Sequence, residues 1–540
     1  MKNIKLYSMA IAASMALGLT SCGEDFLSEE PSSKLPLDGY YNSESRVLEA
    51  AVASYDPLHW FDYFSGYAPL NLVWDSMGDD FYVGGSSTTD QSQIHLISQY
   101  KSESRNSIEG AWTAAYSGIN RSIRLIDDAT ALESLEENTR QSFIDEGRTL
   151  RAWYYLMLWK TWGNVPFYME NLTFPYIAKQ LKADDIYANI IVDLEEVLEN
   201  KSLPMKRPDE WAGRMTWAAA AMIYADYVMY QKDEARYGKA LGYMKDIIIS
   251  NQYDLVAGAD YDHLFDYAHE WNKEIIMDVN YQCKGGTRDW GSANAPGGTV
   301  LPAMIGVDGL SYNGASGDFI GGWGFGTVSK EVYDAFEEGD LRDIALLNMD
   351  KYMEDKWNNE GIRVTYNGRY QNTGIFLRKY LGRPGGTEGA IASSDLNWEN
   401  NLHLYRYAET LLNAAELALA VGDGSAQSYF DQVRSRAGLE SKPVSVDNIL
   451  AERRVEFVGE GKRYFDLVRT GKAASVLKTG GGVVLQTKRT LEEDGTFKGT
   501  CTWGGQAIPE RQDWEESKKY LPIPQSEIEA AQGTIIQNPY

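Results

Sequence analysis

Ile108, Trp112, Tyr116, Ile119, Ile123 and Ile126 recur three and four positions apart, a spacing that lines one face of an α-helix with apolar side chains. Such a stripe has to be buried against another element. The pattern continues along the N-terminal half. Leu150, Tyr154 and Leu158 mark a second helix that stops at Trp162-Gly163-Asn164-Val165-Pro166, where Gly followed by Pro ends helical structure. Asp184 and Asp185 open a third, placing acids where the helix dipole favours them, and Ile186, Ile190, Leu194 and Val197 form its stripe. Residues 216–230 and 237–250 give a further pair. Much later, Tyr405 to Ala420 and Ser425 to Ala437 flank a Gly422-Asp423-Gly424 turn, so that Leu404 to Ala437 spans 34 residues. That is the length of a tetratricopeptide unit, and helix pairs of this kind stack into superhelices. The expected fold is mostly α, a tetratricopeptide-like helix-pair superhelix.

Between residues 251 and 400 the texture changes. Gly285-Gly286, Gly297-Gly298, Gly321-Gly322, Gly324 and Gly326 interrupt any long helix. Trp271, Trp290, Trp323, Trp357 and Trp398 fall in the same stretch, and tryptophan density of this order argues against disorder. A loop-rich subdomain inserted into the helical scaffold is expected here, and long loops in a compact chain carry function. The predicted organisation is a leader over 1–21, a helical region over 22–250, a loop-rich ligand-binding insertion over 251–400 and a C-terminal region over 401–540.

Lys2 and Lys5 precede an apolar run from Leu6 to Leu19 that is too short to span a bilayer, followed by Leu19-Thr20-Ser21-Cys22. This is the tripartite form of an export signal. Its end resembles the lipobox of bacterial lipoproteins, in which the cysteine is acylated. Cys22 is thus the expected lipidation site, and several acyl chains give a stable anchor without a transmembrane segment. Gly23-Glu24-Asp25 resembles the surface-export signal of some Gram-negative lipoproteins. Cys283 and Cys501 remain, with nothing local to decide between pairing and two free thiols. The formal net charge of −26 argues against nucleic acid as partner, since duplex binding needs a cationic surface.

The chain carries 15 Trp and 35 Tyr against 16 Phe, a balance suited to aromatic faces that are half wet. Sugars present an apolar C–H face and a rim of hydroxyls. A flat aromatic ring covers the first and Asp, Asn, Gln or Arg satisfies the second. Two zones supply such pairings. Trp74-Asp75 precedes Asp79-Asp80-Phe81-Tyr82, while Arg288-Asp289-Trp290 and Tyr312-Asn313 precede Asp318 and Gly322-Trp323-Gly324. The candidate stacking rings are Trp74, Trp290, Trp323 and Tyr312, and the candidate hydrogen-bonding rim is Asp79, Arg288 and Asn313. For each ring the competing role is core packing. Trp74 has Leu70, Leu72 and Val73 beside it, and Trp112, Trp153 and Trp162 are assigned to the core. Asp79 and Asp80 fall short of a calcium loop. No metal and no cofactor are expected.

Catalytic templates fail. Glu452, Glu456 and Glu460 share a helix face, but Arg453, Arg454, Lys462 and Arg463 crowd the same stretch. That favours ion pairs, which lower carboxylate pKa values, whereas a glycosidase acid needs its pKa raised. His263 and His269 lack zinc-protease spacing. Gly322-Trp323-Gly324-Phe325-Gly326 has no preceding strand for a dinucleotide site.

Several segments, in order, resemble one family, the SusD/RagB-like outer-membrane lipoproteins. They are Glu109-Gly110-Ala111-Trp112, Glu146-Gly147-Arg148 through Trp162-Gly163-Asn164-Val165-Pro166, Tyr405-Arg406-Tyr407-Ala408-Glu409, Glu452-Arg453-Arg454 with Gly461-Lys462-Arg463-Tyr464-Phe465-Asp466, and Tyr520-Leu521-Pro522-Ile523-Pro524 with Gln537-Asn538-Pro539. The resemblance implies a non-catalytic protein on the cell surface, lipid-anchored in the outer membrane, with a TonB-dependent (SusC-like) transporter as partner. It implies capture of oligosaccharides for import. Some relatives capture peptides instead, and a surface glycoside hydrolase is a third reading from another class.

Overall fold

The computed structural model describes residues 40–540 apart from 64–66, 293–294, 479–481, 487–488, 493, 500–501 and 508–510. The leader, Cys22 and Cys501 therefore lie outside the described residues. Among the described residues, no helix is long and apolar enough to cross a membrane.

The helices that build the frame are α1 (Glu44–Tyr55), α2 (Trp60–Tyr63), α3 (Leu70–Met77), α4 (Glu109–Ala131), α5 (Glu137–Trp162), α6 (Ala183–Asn200), α7 (Trp217–Gln231) and α8 (Tyr237–Ile249). Within the loop-rich stretch lies α9 (Leu301–Ile305), and after it follow α10 (Tyr407–Val421), α11 (Ala426–Arg436), α12 (Val446–Glu456), α13 (Arg463–Arg469) and α14 (Gln525–Ala530). Each long helix packs on the next: α4 on α5, α5 on α6, α6 on α7, α7 on α8, and α10 on α11. Helix α8 also packs on α10, although more than 150 residues separate them in sequence. The frame is thus a continuous run of nearest-neighbour helix contacts, the expected mostly α, tetratricopeptide-like superhelix.

The stripes read from sequence are the buried faces. Ile119 and Ile123 of α4, Leu150, Tyr154 and Leu158 of α5, and Ile186, Ile190, Leu194 and Val197 of α6 are all buried, as are Trp112, Trp153 and Trp162. Helices α4 and α5 approach so closely that a Cβ on Gly118 would lie 2.3 Å from the Tyr154 ring. Only glycine fits there.

The sequence pattern begins its late helix at Tyr405, but the structure starts α10 at Tyr407. Tyr405 and Arg406 belong instead to the strand Leu402–Arg406, which pairs antiparallel with Ile275–Val279. In chain order the first eight strands are β1 (Phe81–Gly84), β2 (Val165–Pro166), β3 (Gln180–Leu181), β4 (Ile275–Val279), β5 (Phe325–Val328), β6 (Leu346–Asn348), β7 (Ile375–Leu377) and β8 (Leu402–Arg406). The β4–β8 pair closes the neck through which the chain leaves and re-enters the helical frame. Strands β1, β5, β7 and β6 form an antiparallel sheet in that order, with Gly84 opposite Phe325. This sheet sews the N-terminal segment to the loop-rich region.

Below the neck lies a buried charge cluster in which Glu452, Glu456 and Glu460 pair with basic residues of other segments, while the neighbouring Arg453, Arg454, Lys462 and Arg463 expected from sequence pair elsewhere. Glu456 accepts hydrogen bonds from Arg342 (3.1 Å), Arg406 (3.0 Å) and Arg436. Arg406 also reaches Glu274 (2.6 Å) and Glu460 (2.7 Å), and Lys379 donates to Glu460 at 2.8 Å. Glu274, Arg342, Lys379, Arg406, Arg436, Glu456 and Glu460 are all buried. Burial alone would raise the Glu460 carboxyl, but Arg406 and Lys379 hold it down to about 2. Glu456 is likewise held well below the usual carboxylate range by Arg436, Arg406 and Arg342, against burial.

Glu456→Gln should destabilise the fold by roughly 3–5 kcal/mol in urea unfolding, because it strands buried guanidinium charge. A depressed folded-state pKa contributes stability above the unfolded value, which is lost as pH falls through the folded one. Stability should therefore drop as pH falls from about 4.3, the ordinary Glu value, toward 2. Glu460→Gln should flatten that part of the pH profile.

Candidate functional site

Three loops converge beside the four-stranded sheet. The first follows α2 and carries Tyr67, the second spans residues 284–299 and carries Trp290, and the third leads into β5 and carries Trp323. Their rings form one cluster. The Tyr67 and Trp290 centroids are 5.6 Å apart, Tyr67 stands edge-on to Trp323 at 6.0 Å, and Trp290 and Trp323 are 5.8 Å apart with planes inclined at 34°. Trp290 is 54% exposed, while Tyr67 and Trp323 are half-buried. A solvent-facing indole held beside a second at a shallow angle is an aromatic platform.

The platform is held from beneath. Arg288, two residues before Trp290, donates from Nη1 to Asp62 Oδ1 at 2.9 Å and from Nη2 to the His59 carbonyl at 3.2 Å. The other Asp62 oxygen accepts the Val300 N–H at 2.9 Å. Both side chains of the pair are buried. Asp62 lies in α2, just upstream of Tyr67, so this ion pair ties the Tyr67 loop to the Trp290 loop. A second tie comes from Asn397, whose amide donates to the Arg288 carbonyl (2.8 Å) and the Ser393 carbonyl (2.7 Å). Within the Trp290 loop, Thr287 N–H donates to the Pro296 carbonyl and Ser292 N–H to that of Asp289.

Trp323 is fixed through its backbone. Gly322, Trp323 and Gly324 donate to the carbonyls of Val307 (3.0 Å), Ala303 (2.8 Å) and Gly306 (2.8 Å), laying the loop against α9 and the residues after it. A Cβ on Gly306 would sit 2.8 Å from the Gly322 Cα, so the glycines beside Trp323 are there for backbone packing. Arg369 donates to the Trp323 carbonyl at 3.3 Å and pairs with Asp308 at 3.0 Å, placing a polar pair against the Trp323 backbone.

Of the seven residues singled out from sequence, the structure brings Trp290 and Trp323 together, and four others take different positions from those expected. Trp74 lies in α3, half-buried against the core, and meets Phe465 edge-on at 5.1 Å. Asp79 accepts from Arg463 at 2.8 and 2.9 Å and from Arg454 at 3.2 Å, and Asp80 accepts from Arg454. These acids brace α12 and α13 and are not a free rim or a calcium cradle. Arg288 is buried in its pair with Asp62 and positions Trp290 from below. Tyr312 is buried, its hydroxyl 3.1 Å from that of Tyr352 and accepting the Phe319 N–H. Asn313 is exposed at φ +51°, the left-handed turn position that asparagine tolerates. Tyr67 escaped the sequence reading, although Gly66 and Pro69 around it are a turn signal. Asp308 and Arg369, 61 positions apart, carry no local signal at all.

Residues 347–540 match the model of the SusD family. Surface glycan-binding protein A from Bacteroides thetaiotaomicron, solved in complex with laminarihexaose, is 41% identical, with 92% of this chain and 99% of that one covered at a TM-score of 0.81. The chain belongs to the SusD family. Surface glycan-binding protein A from Bacteroides uniformis is 37% identical over 92% of this chain and 100% of its own, at a TM-score of 0.76. A laminarin-binding SusD-like protein is 28% identical with the same two coverages and the same TM-score. In this SusD-family chain the buried Asp62–Arg288 pair is what spaces two of the three aromatic loops.

Arg288→Met, which keeps the length of the stem and removes the charge, should leave Asp62 buried without its cation. A loss of roughly 3–5 kcal/mol is expected in chemical unfolding, together with a change in tryptophan emission as Trp290 loses its support.

Proposed function

We propose that this chain is a non-catalytic surface lipoprotein that captures an oligosaccharide of the laminarin type on the Tyr67–Trp290–Trp323 platform and releases it to a TonB-dependent outer-membrane transporter for import. The inclination of the two indoles carries this reading. A β-1,3-linked glucose chain turns at each linkage, so successive sugar faces are not coplanar, whereas a β-1,4-linked chain is flat. Two rings 5.8 Å apart and tilted by 34° suit the turning chain. The relatives that bind laminarihexaose or laminarin support the same ligand class. The platform offers apolar area to the C–H faces, and Asp308 with Arg369 offers hydrogen bonds to the hydroxyl rim.

The state of the Glu456 and Glu460 carboxylates supports capture without cleavage. Glu456 and Glu460 are buried and held ionised by arginines, the reverse of what a general acid requires. Asp308 faces Arg369 and is not one of a pair of opposed carboxylates. The delivery step rests on the lipobox at Cys22 and on the family resemblance.

Calorimetric titration with laminarihexaose tests the site. Trp290→Ala and Trp323→Ala should each weaken binding tenfold or more, as loss of a buried aromatic anchor does, and cellohexaose should bind less tightly than laminarihexaose. Unchanged affinity in both variants, or preferential binding of a peptide mixture, would overturn the assignment. For the anchor, Cys22→Ala in a cell should move the protein out of the membrane fraction; membrane retention of that variant would refute acylation at this residue.

A further inference from the structure

A second concave surface lies on the helical frame and shares no residue with the Tyr67–Trp290–Trp323 cluster. It is a cleft of about 940 Å³ between α4, the loop over 166–178 and the C-terminal segment around α14, within the size range of small-ligand sites. Its walls are built and fastened. The amide of Gln180 clasps the chain end, donating to the Ile536 carbonyl at 2.9 Å and accepting the Ile536 N–H at 2.8 Å, so a segment 356 positions away is held in register with the 166–178 loop.

The floor of the cleft is a pair of nearly parallel rings. Tyr116 and Tyr168 stack at 6.2 Å with an interplanar angle of 17°. Each is locked through its hydroxyl, Tyr116 to the Pro166 carbonyl at 2.7 Å and Tyr168 to Asn120 Oδ1 at 2.8 Å. At the rim, Tyr176 is 68% exposed and Asn171 is exposed. The lining holds two charged residues. Arg124 is paired with Asp128 at 2.8 Å, and Glu527 is half-buried beside Trp112, with burial pushing its carboxyl up. What the cleft presents is mostly aromatic rings, amides and hydroxyls, with a single half-buried carboxyl. That is the complement of a neutral polyhydroxylated ligand and a poor match for a phosphate, a carboxylate or a metal cation.

We propose that the cleft between α4, the 166–178 loop and the C-terminal segment is a second carbohydrate-binding site, taking a neutral oligosaccharide on Tyr176 and the Tyr116–Tyr168 pair with Asn171 at the hydroxyl rim. A chain with two such sites holds a polymeric glycan at two points and gains effective concentration at each.

The test uses the full mature chain carrying Trp290→Ala and Trp323→Ala, screened by calorimetry and glycan array against a panel of neutral oligosaccharides that includes laminarihexaose. This double variant should retain binding to at least one panel member, and adding Tyr176→Ala and Asn171→Ala, both at exposed positions, should weaken that residual binding tenfold or more. No residual binding to any panel member, or residual binding indifferent to the added substitutions, would overturn the second site. Binding of a peptide mixture in place of glycan, sensitive to the same two substitutions, would also overturn it. If the Trp290→Ala/Trp323→Ala chain binds as tightly as the parent and the added substitutions abolish binding, the platform reading fails while the second site stands.

Discussion

Glu456 draws together arginines from three separated segments: Arg342 from the loop-rich region, Arg406 from the end of β8 and Arg436 from the end of α11. Arg406 then bridges to Glu274, at the start of β4, and to Glu460, just beyond α12. The frame and the loop-rich region are joined here by buried charge as well as by apolar packing. Pairs this deeply buried add little to net stability over an apolar equivalent, because desolvation consumes much of the attraction. What they do impose is register. A guanidinium with five donors and a carboxylate with two oxygens accept few arrangements, so the neck of the insertion has one way to sit on α11 and α12.

The same device recurs at the platform on a smaller scale. Asp62 and Arg288 are 226 positions apart, and their pairing turns two surface loops into one support. Aromatic rings that are pre-positioned in this way lose little freedom when ligand arrives, which is how a small contact area yields useful affinity.

The frame was legible in the sequence because helical burial has a period, and a period survives without knowledge of partners. Trp112, Trp153 and Trp162 sit on such stripes and are core. The loops have no period, and there the reading split. Trp290 and Trp323 stood out through glycines and polar neighbours, and those glycines reflect close backbone approach, as between Gly306 and Gly322. Trp74 looked similar by composition, but it falls on the short helix Leu70–Met77, whose apolar residues face inward. Asp79 and Arg288 were read as available polar groups because nothing nearby in sequence reveals Arg463 or Asp62. Long-range ion pairs are invisible to local pattern, and they decide which polar residues are free to meet a ligand.

Helix α8 packs directly on α10, so the superhelix closes beneath the segment that departs at one and returns at the other. The ends of that segment are already side by side, and they are clamped by β4 and β8. Under these conditions segment length is thermodynamically cheap, since doubling a loop costs only about 0.6 kcal/mol in closure entropy. The scaffold is in effect a socket: surface loops of the ring-bearing module can be lengthened or shortened, provided that the β4–β8 and β1–β5 pairings, the Asp62–Arg288 tie and the contacts of Arg342 and Arg406 with Glu456 are kept.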